Sequence, residues 1–129
     1  MSKPKILVIE DDNNMRIALN MRLKAAGYET IFATDGLSAT IVAFKEVPDL
    51  VLLDLGLPAG DGFVVMERIR NNAKLCCVPV IVLTAREVRG NKDRALAAGA
   101  YAFFQKPADN EALMDAIERA LKGTGALAT

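Results

Sequence analysis

No histidine occurs anywhere in this chain of 129 residues. That single absence excludes a Ser-His-Asp triad, a Cys-His nucleophile pair and every metal site built on imidazole. Net charge is lacking too, since sixteen Lys and Arg balance sixteen Asp and Glu. A general nucleic-acid or anionic-membrane surface carries a basic excess, so neither partner is expected. No apolar run approaches the length of a membrane span and the N-terminus has no signal-peptide core, so the expected location is the cytoplasm. Cysteine is scarce: Cys76 and Cys77 are the only two, and they are neighbours. Their Cα atoms lie about 3.8 Å apart across a trans peptide, closer than a disulfide prefers. A reducing compartment suits such a pair.

What is present suffices for one domain with a proper core, at 52% hydrophobic and 25% charged residues. The organising stretch is Leu50-Val51-Leu52-Leu53-Asp54-Leu55-Gly56-Leu57-Pro58-Ala59-Gly60-Asp61-Gly62. Four apolar residues run into a carboxylate and a turn-rich segment follows, the pattern of a strand buried on both faces. Such a strand delivers Asp54 to its carboxyl end, where open α/β sheets place their ligands. A charge held there is costly unless something pairs with it.

Around that stretch, short apolar runs alternate with longer amphipathic ones. Strands are expected at Lys5–Ile9, Tyr28–Phe32, Asp49–Leu53, Pro79–Leu83 and Tyr101–Phe104. Helices are expected after each: from an N-cap at Asn13 or Asn14 to a stop at Gly27, over Leu37–Glu46 before Pro48, from Phe63 to Arg70, over Glu87–Ala98, and over Asp109–Lys122. Five strands alternating with five helices imply βαβ units and a doubly wound parallel sheet. The polar residues then fall at one edge of that sheet. Glu10, Asp11 and Asp12 follow the first strand, Asp54 the third and Thr84 the fourth, and Lys106 comes after the fifth. Clustered acids imply a compensating cation, and oxygen-only ligands suit a hard ion such as Mg²⁺.

The segments Val8-Ile9-Glu10-Asp11-Asp12, Leu53 to Gly62, Leu83-Thr84-Ala85 and Gln105-Lys106-Pro107 resemble the signature set of bacterial response regulator receiver domains, in order and over nearly the whole chain. The resemblance implies a chemotaxis-regulator-like, flavodoxin-like fold with strand order 2-1-3-4-5. It implies one receiver domain over residues 1–122, with 123–129 a flexible tail or linker stub. It further implies that Asp54 accepts a phosphoryl group from a sensor histidine kinase or histidine phosphotransfer protein, with Mg²⁺ as cofactor. In the implied site Asp11 and Asp54 ligate the metal directly, Glu10 acts through water and the Gly56 carbonyl is a further ligand. Thr84 is the implied switch hydroxyl, Lys106 the phosphate-pairing cation on an expected cis Lys106-Pro107 bond, and Phe103 the switch aromatic. Gly56 and Arg86 hold positions that tune phosphoryl loss. The expected output is a downstream protein or a phosphorylation-dependent homodimer, engaged by the fourth helix, fifth strand and fifth helix.

Ordinary readings compete at each position. Thr84 could cap the fourth helix, Lys106 and Arg86 could be solvated, and Asp12 and Asp61 read as turn or cap residues. Two other classes also compete. A haloacid-dehalogenase-like phosphatase wants a second aspartate two residues after the nucleophile, where this chain has Gly56. A degenerate receiver binds partners without phosphorylation but lacks part of the set that is complete here.

Overall fold

The run Leu50–Leu53 forms β3, and each of its residues is at most 2% exposed. A strand so completely covered needs neighbours on both sides, and β3 has them: β1 (Lys5–Ile9) and β4 (Val80–Thr84), both parallel to it. β2 (Glu29–Ala33) and β5 (Ala102–Gln105) form the edges, giving a parallel sheet of order β2-β1-β3-β4-β5. The computed structural model describes residues 3–58 and 61–124. Ala59 and Gly60 of the resembling segment, and tail residues 125–129, lie outside the described residues.

Helices α1 (Asn13–Ala25), α2 (Gly36–Glu46), α3 (Gly62–Arg70), α4 (Val88–Ala97) and α5 (Asn110–Gly123) cover the two faces. Side chains alternate across a strand, so each strand feeds two cores. Leu7, Ile9, Val51, Leu53 and Val82 meet α2, α3 and α4, whereas Ile6, Val8, Leu50, Leu52 and Ile81 meet α1 and α5. The chain leaves β1 toward β2 on one side, then returns to place β3 on the other. A crevice therefore opens at the carboxyl ends of β1 and β3, where this fold places its ligands.

The structure departs locally from the sequence-based expectations. Asp12, rather than Asn13 or Asn14, caps α1, because its Oδ1 accepts the Met15 N–H at 3.2 Å. Asp61 caps α3, as its sequence position suggests. Asp49 ties down the start of β3, accepting the Lys5 N–H at 2.7 Å. The fourth helix is not continuous from Glu87: Arg89 and Gly90 have non-helical backbone, with Gly90 at φ 79°. Only Ala95 of α4 is buried, so little packing enforces regularity there. α5 extends to Gly123 with Thr124 as its C-cap, one residue past the expected domain end. The Lys106-Pro107 bond is cis, as expected.

Candidate functional site

Two backbone hydrogen bonds hold the loops that carry the acids. The Glu10 N–H donates to the Ala33 carbonyl at 3.0 Å, and the Asp54 N–H to the Ile9 carbonyl at 3.0 Å. Each strand thus continues its pairing one residue past its end, so the two carboxylates leave the sheet side by side. Among the described residues, the buried polar or charged side chains are Glu10 at 2% exposure, Asp54 at 9% and Thr84 at 1%. All three sit at this one edge. Buried charges require partners, and here they have one in common. The Lys106 ammonium reaches back from beyond β5 to ion-pair with Glu10, and lies 3.3 Å from Asp54 Oδ2.

Asp54 is satisfied on its other oxygen as well. The Gly56 N–H donates to Asp54 Oδ1 at 3.1 Å. The Thr84 hydroxyl lies near enough to favour the ionised form of the Asp54 carboxylate, and Thr84 Oγ1 accepts the Arg86 N–H at 3.3 Å. Thr84 ends β4 and does not cap α4, whose N-cap is Glu87. Among the described residues no buried side-chain nitrogen or oxygen lacks a partner.

These contacts separate the proton affinities of the two buried acids. Burial alone pushes Asp54 up, but the Gly56 N–H, the Thr84 hydroxyl and Lys106 outweigh it and hold the carboxyl below its ordinary 3.8. Glu10 goes the other way: burial raises it above 4.5 despite the hydrogen bond and charge of Lys106. For Lys106, burial disfavours the ammonium, yet the Glu10 hydrogen bond and the charges of Asp54 and Glu10 raise it above 10.5. Asp54 is thus an anion and Lys106 a cation at neutral pH.

Asp11 is exposed, but one carboxylate oxygen from each of Glu10, Asp11 and Asp54 falls within 4.8 Å of the others. Three oxygen donors, two of them buried, match the ligand chemistry of a hard divalent cation such as Mg²⁺. Asp12 turns away to cap α1 and stands outside this group. Gly56 is exposed beside Asp54.

Arg16 is a residue that pattern reading passes over. Its guanidinium donates to the Glu10 and Asp11 carbonyls at 3.2 and 3.3 Å and to Asn13 Oδ1 at 2.7 Å, clamping the acidic loop. It falls on the first turns of α1 with no motif spacing to mark it. Gly62 is a second. A Cβ there would lie 2.6 Å from Leu55 Cα and 2.9 Å from the Asp54 carbonyl, so α3 approaches the Asp54 loop more closely than any side chain allows. Arg86 lies outside α4 and pairs with Asp61 at 3.2 Å, both partly exposed. Phe103 is half-buried against the core beneath α2, α3 and α4, in register with Val82, while Tyr101 is exposed.

Residues 6–118 match the family model described as "Response regulator receiver domain". The chain is 35% identical over 121 residues to "DNA-binding dual master transcriptional regulator RpaA" of Synechocystis, across 94% of this chain but 50% of that protein. It therefore spans half the length of that relative. It is also 35% identical over 121 residues to "Sporulation initiation phosphotransferase F" of Bacillus subtilis, covering 94% of this chain and 96% of that one. Among solved structures, the receiver domain of sensor histidine kinase PA1611 from Pseudomonas aeruginosa superposes with a TM-score of 0.86 at 28% identity, over 94% of this chain and 99% of that one. That structure has a magnesium ion coordinated in its active site cleft. No helix among the described residues is long and apolar enough to cross a membrane.

Proposed function

Because the chain belongs to the response regulator receiver family, we propose that it accepts a phosphoryl group on Asp54, in a Mg²⁺-dependent transfer from a sensor histidine kinase or histidine phosphotransfer protein. The observation that carries this reading is the convergence on one anionic carboxylate of an ammonium, a hydroxyl and a backbone N–H, beside two further acids. Glu10, Asp11, Asp54 and the Gly56 carbonyl would hold the metal.

The transfer needs an anionic nucleophile, and the depressed proton affinity of Asp54 supplies one at neutral pH. One Asp54 oxygen forms the new P–O bond as the P–N bond of a phosphohistidine breaks, leaving an acyl phosphate and a released imidazole. Charge develops on the equatorial oxygens, and preorganised donors aimed there lower the barrier. A bound Mg²⁺ would neutralise part of that charge. Lys106 exchanges its Asp54 contact for a phosphoryl oxygen, and its compact ammonium suits a point contact of this kind. The Thr84 hydroxyl does the same.

The switch follows from those exchanges. When Thr84 moves toward the phosphoryl group, the space beside Phe103 on the adjoining strand changes, and the α4-β5-α5 face shifts its conformational balance. That face then binds a downstream protein or a second copy. Gly56 and Arg86, flanking the phosphoryl position, set how readily water removes it. On this reading the chain is a phospho-acceptor and switch that acts on its own aspartyl phosphate rather than an enzyme that turns over external substrates.

Incubating the protein with acetyl phosphate and Mg²⁺ tests the proposal by intact-protein mass. One added phosphoryl group, lost on chelation of the metal, is the expected outcome. Continuous phosphate release with no adduct under quenched conditions would point to phosphatase turnover instead. An unchanged mass with no phosphate release would mark a receiver that signals by binding alone.

A further inference from the structure

Cys76 and Cys77 serve no purpose in the phosphoryl site. Both are exposed in the segment between α3 and β4, and their Sγ atoms lie 3.8 Å apart. This is a non-bonded contact, well beyond the S–S bond length of about 2.0 Å. Adjacent residues also hold their Cα atoms at about 3.8 Å, below the usual disulfide range, so the local chain resists closing the bridge. A different partner fits the gap. Two thiolates bound tetrahedrally at the Zn–S distance of about 2.3 Å stand about 3.8 Å from each other.

We propose that Cys76 and Cys77 form a bidentate thiolate site for a thiophilic d¹⁰ divalent cation of the Zn²⁺ or Cd²⁺ type, separate from the acidic site at the sheet edge. The side chains around Cys76 are mostly apolar. Cys76 lines a cavity of about 160 Å³ with Met66, Val78, Val80 and the cationic Arg70, and no carboxylate lines it, so the thiolates would have to supply the charge that holds the ion. A hard cation such as Mg²⁺ finds no oxygen cluster there, whereas thiolate favours softer ions. The Cys77 thiol holds its proton more tightly than usual, because it hydrogen-bonds Cys76 and would face that residue's negative charge. A divalent cation between the sulfurs removes that repulsion and releases both protons to solvent. Two coordination positions remain for water, or for the same pair from a second chain.

The test is a titration of the reduced, Mg²⁺-saturated protein with Cd²⁺, following the ultraviolet thiolate-to-cadmium charge-transfer absorbance. Saturation at one Cd²⁺ per chain, or at one per two chains with dimerisation, is expected. Cys76→Ser and Cys77→Ser should each weaken binding on the order of 10²-fold, the usual scale of gain from a second tethered ligand. Both side chains are exposed, so neither substitution should disturb the fold, and Mg²⁺ binding in each variant checks that. Absence of the band in wild type, or unchanged affinity in either single variant, would overturn the proposal.

Discussion

Lys106 joins two acids brought together from different strands, and its removal should be felt in two ways. With methionine in its place, transfer from acetyl phosphate should slow by about 10²-fold, the usual cost of one lost donor to developing charge. Stopped-time mass analysis reads that rate. Stability gives an independent check through pH. The proton affinity of Lys106 is raised above 10.5, so its ion pairs stabilise the fold below that value and lose effect as pH rises through the folded-state value. Wild type should resist urea better than Lys106→Met at neutral pH, and the gap should close above pH 10.5. Equal midpoints at neutral pH would mean the pairing contributes nothing. Gly62→Ala is a third test at this scale. The added methyl meets backbone rather than a flexible side chain, so a loss of about 1–3 kcal/mol by denaturant unfolding is expected. The sequence marked Glu10, Asp11, Asp54, Thr84 and Lys106 by their places after strands. It does not mark Arg16, and it marks Gly62 only as part of a resembling segment, because a clamp on carbonyls and a close backbone approach are roles that no spacing encodes.

At the level of elements, β3 and β4 were plain from their apolar runs, because a strand covered on both faces has no polar alternation to blur it. The edge strands read less clearly, and β2 begins at Glu29 rather than Tyr28. The expected helix over Glu87–Ala98 breaks at Arg89 and Gly90, and an internal glycine is the kind of signal that lowers a helix reading. That loosely packed helix adjoins β5, whose Phe103 is half-buried. The Phe103→Ala variant should keep its phosphoryl acceptance, since the ring is not among the groups that contact Asp54. Its phosphorylation-dependent partner binding or dimerisation should weaken. Sizing by light scattering with and without acetyl phosphate, or capture of the downstream partner, reads that outcome. Normal phosphorylation-dependent association in the variant would remove Phe103 from the switch.

The molecule as a whole places its buried charged groups at one end of a sheet whose order, β2-β1-β3-β4-β5, sets β1 beside β3. That adjacency brings Glu10 and Asp11 to Asp54. The sequence could suggest it only through resemblance, because alternation of elements fixes their types and not their neighbours. Besides burial, the Asp54 charge also raises the proton affinity of Glu10, a repulsion that a bound cation would relieve. Mg²⁺ at a hundred times its dissociation constant should therefore stabilise the protein by about 2.7 kcal/mol. Thermal unfolding should shift upward by several degrees, return on chelation, and respond weakly in Asp11→Ala.

The most direct measurement locates the phosphoryl group. Borohydride reduces an acyl phosphate to an alcohol, so a phosphorylated aspartate becomes homoserine with release of phosphate. After treatment with acetyl phosphate, Mg²⁺ and borohydride, peptide fragmentation should find homoserine at position 54, and Asp54→Asn should yield none. Homoserine at Asp11, Asp12 or Asp61 instead, or an added phosphoryl group that survives borohydride, would contradict the assignment of Asp54 as the acceptor.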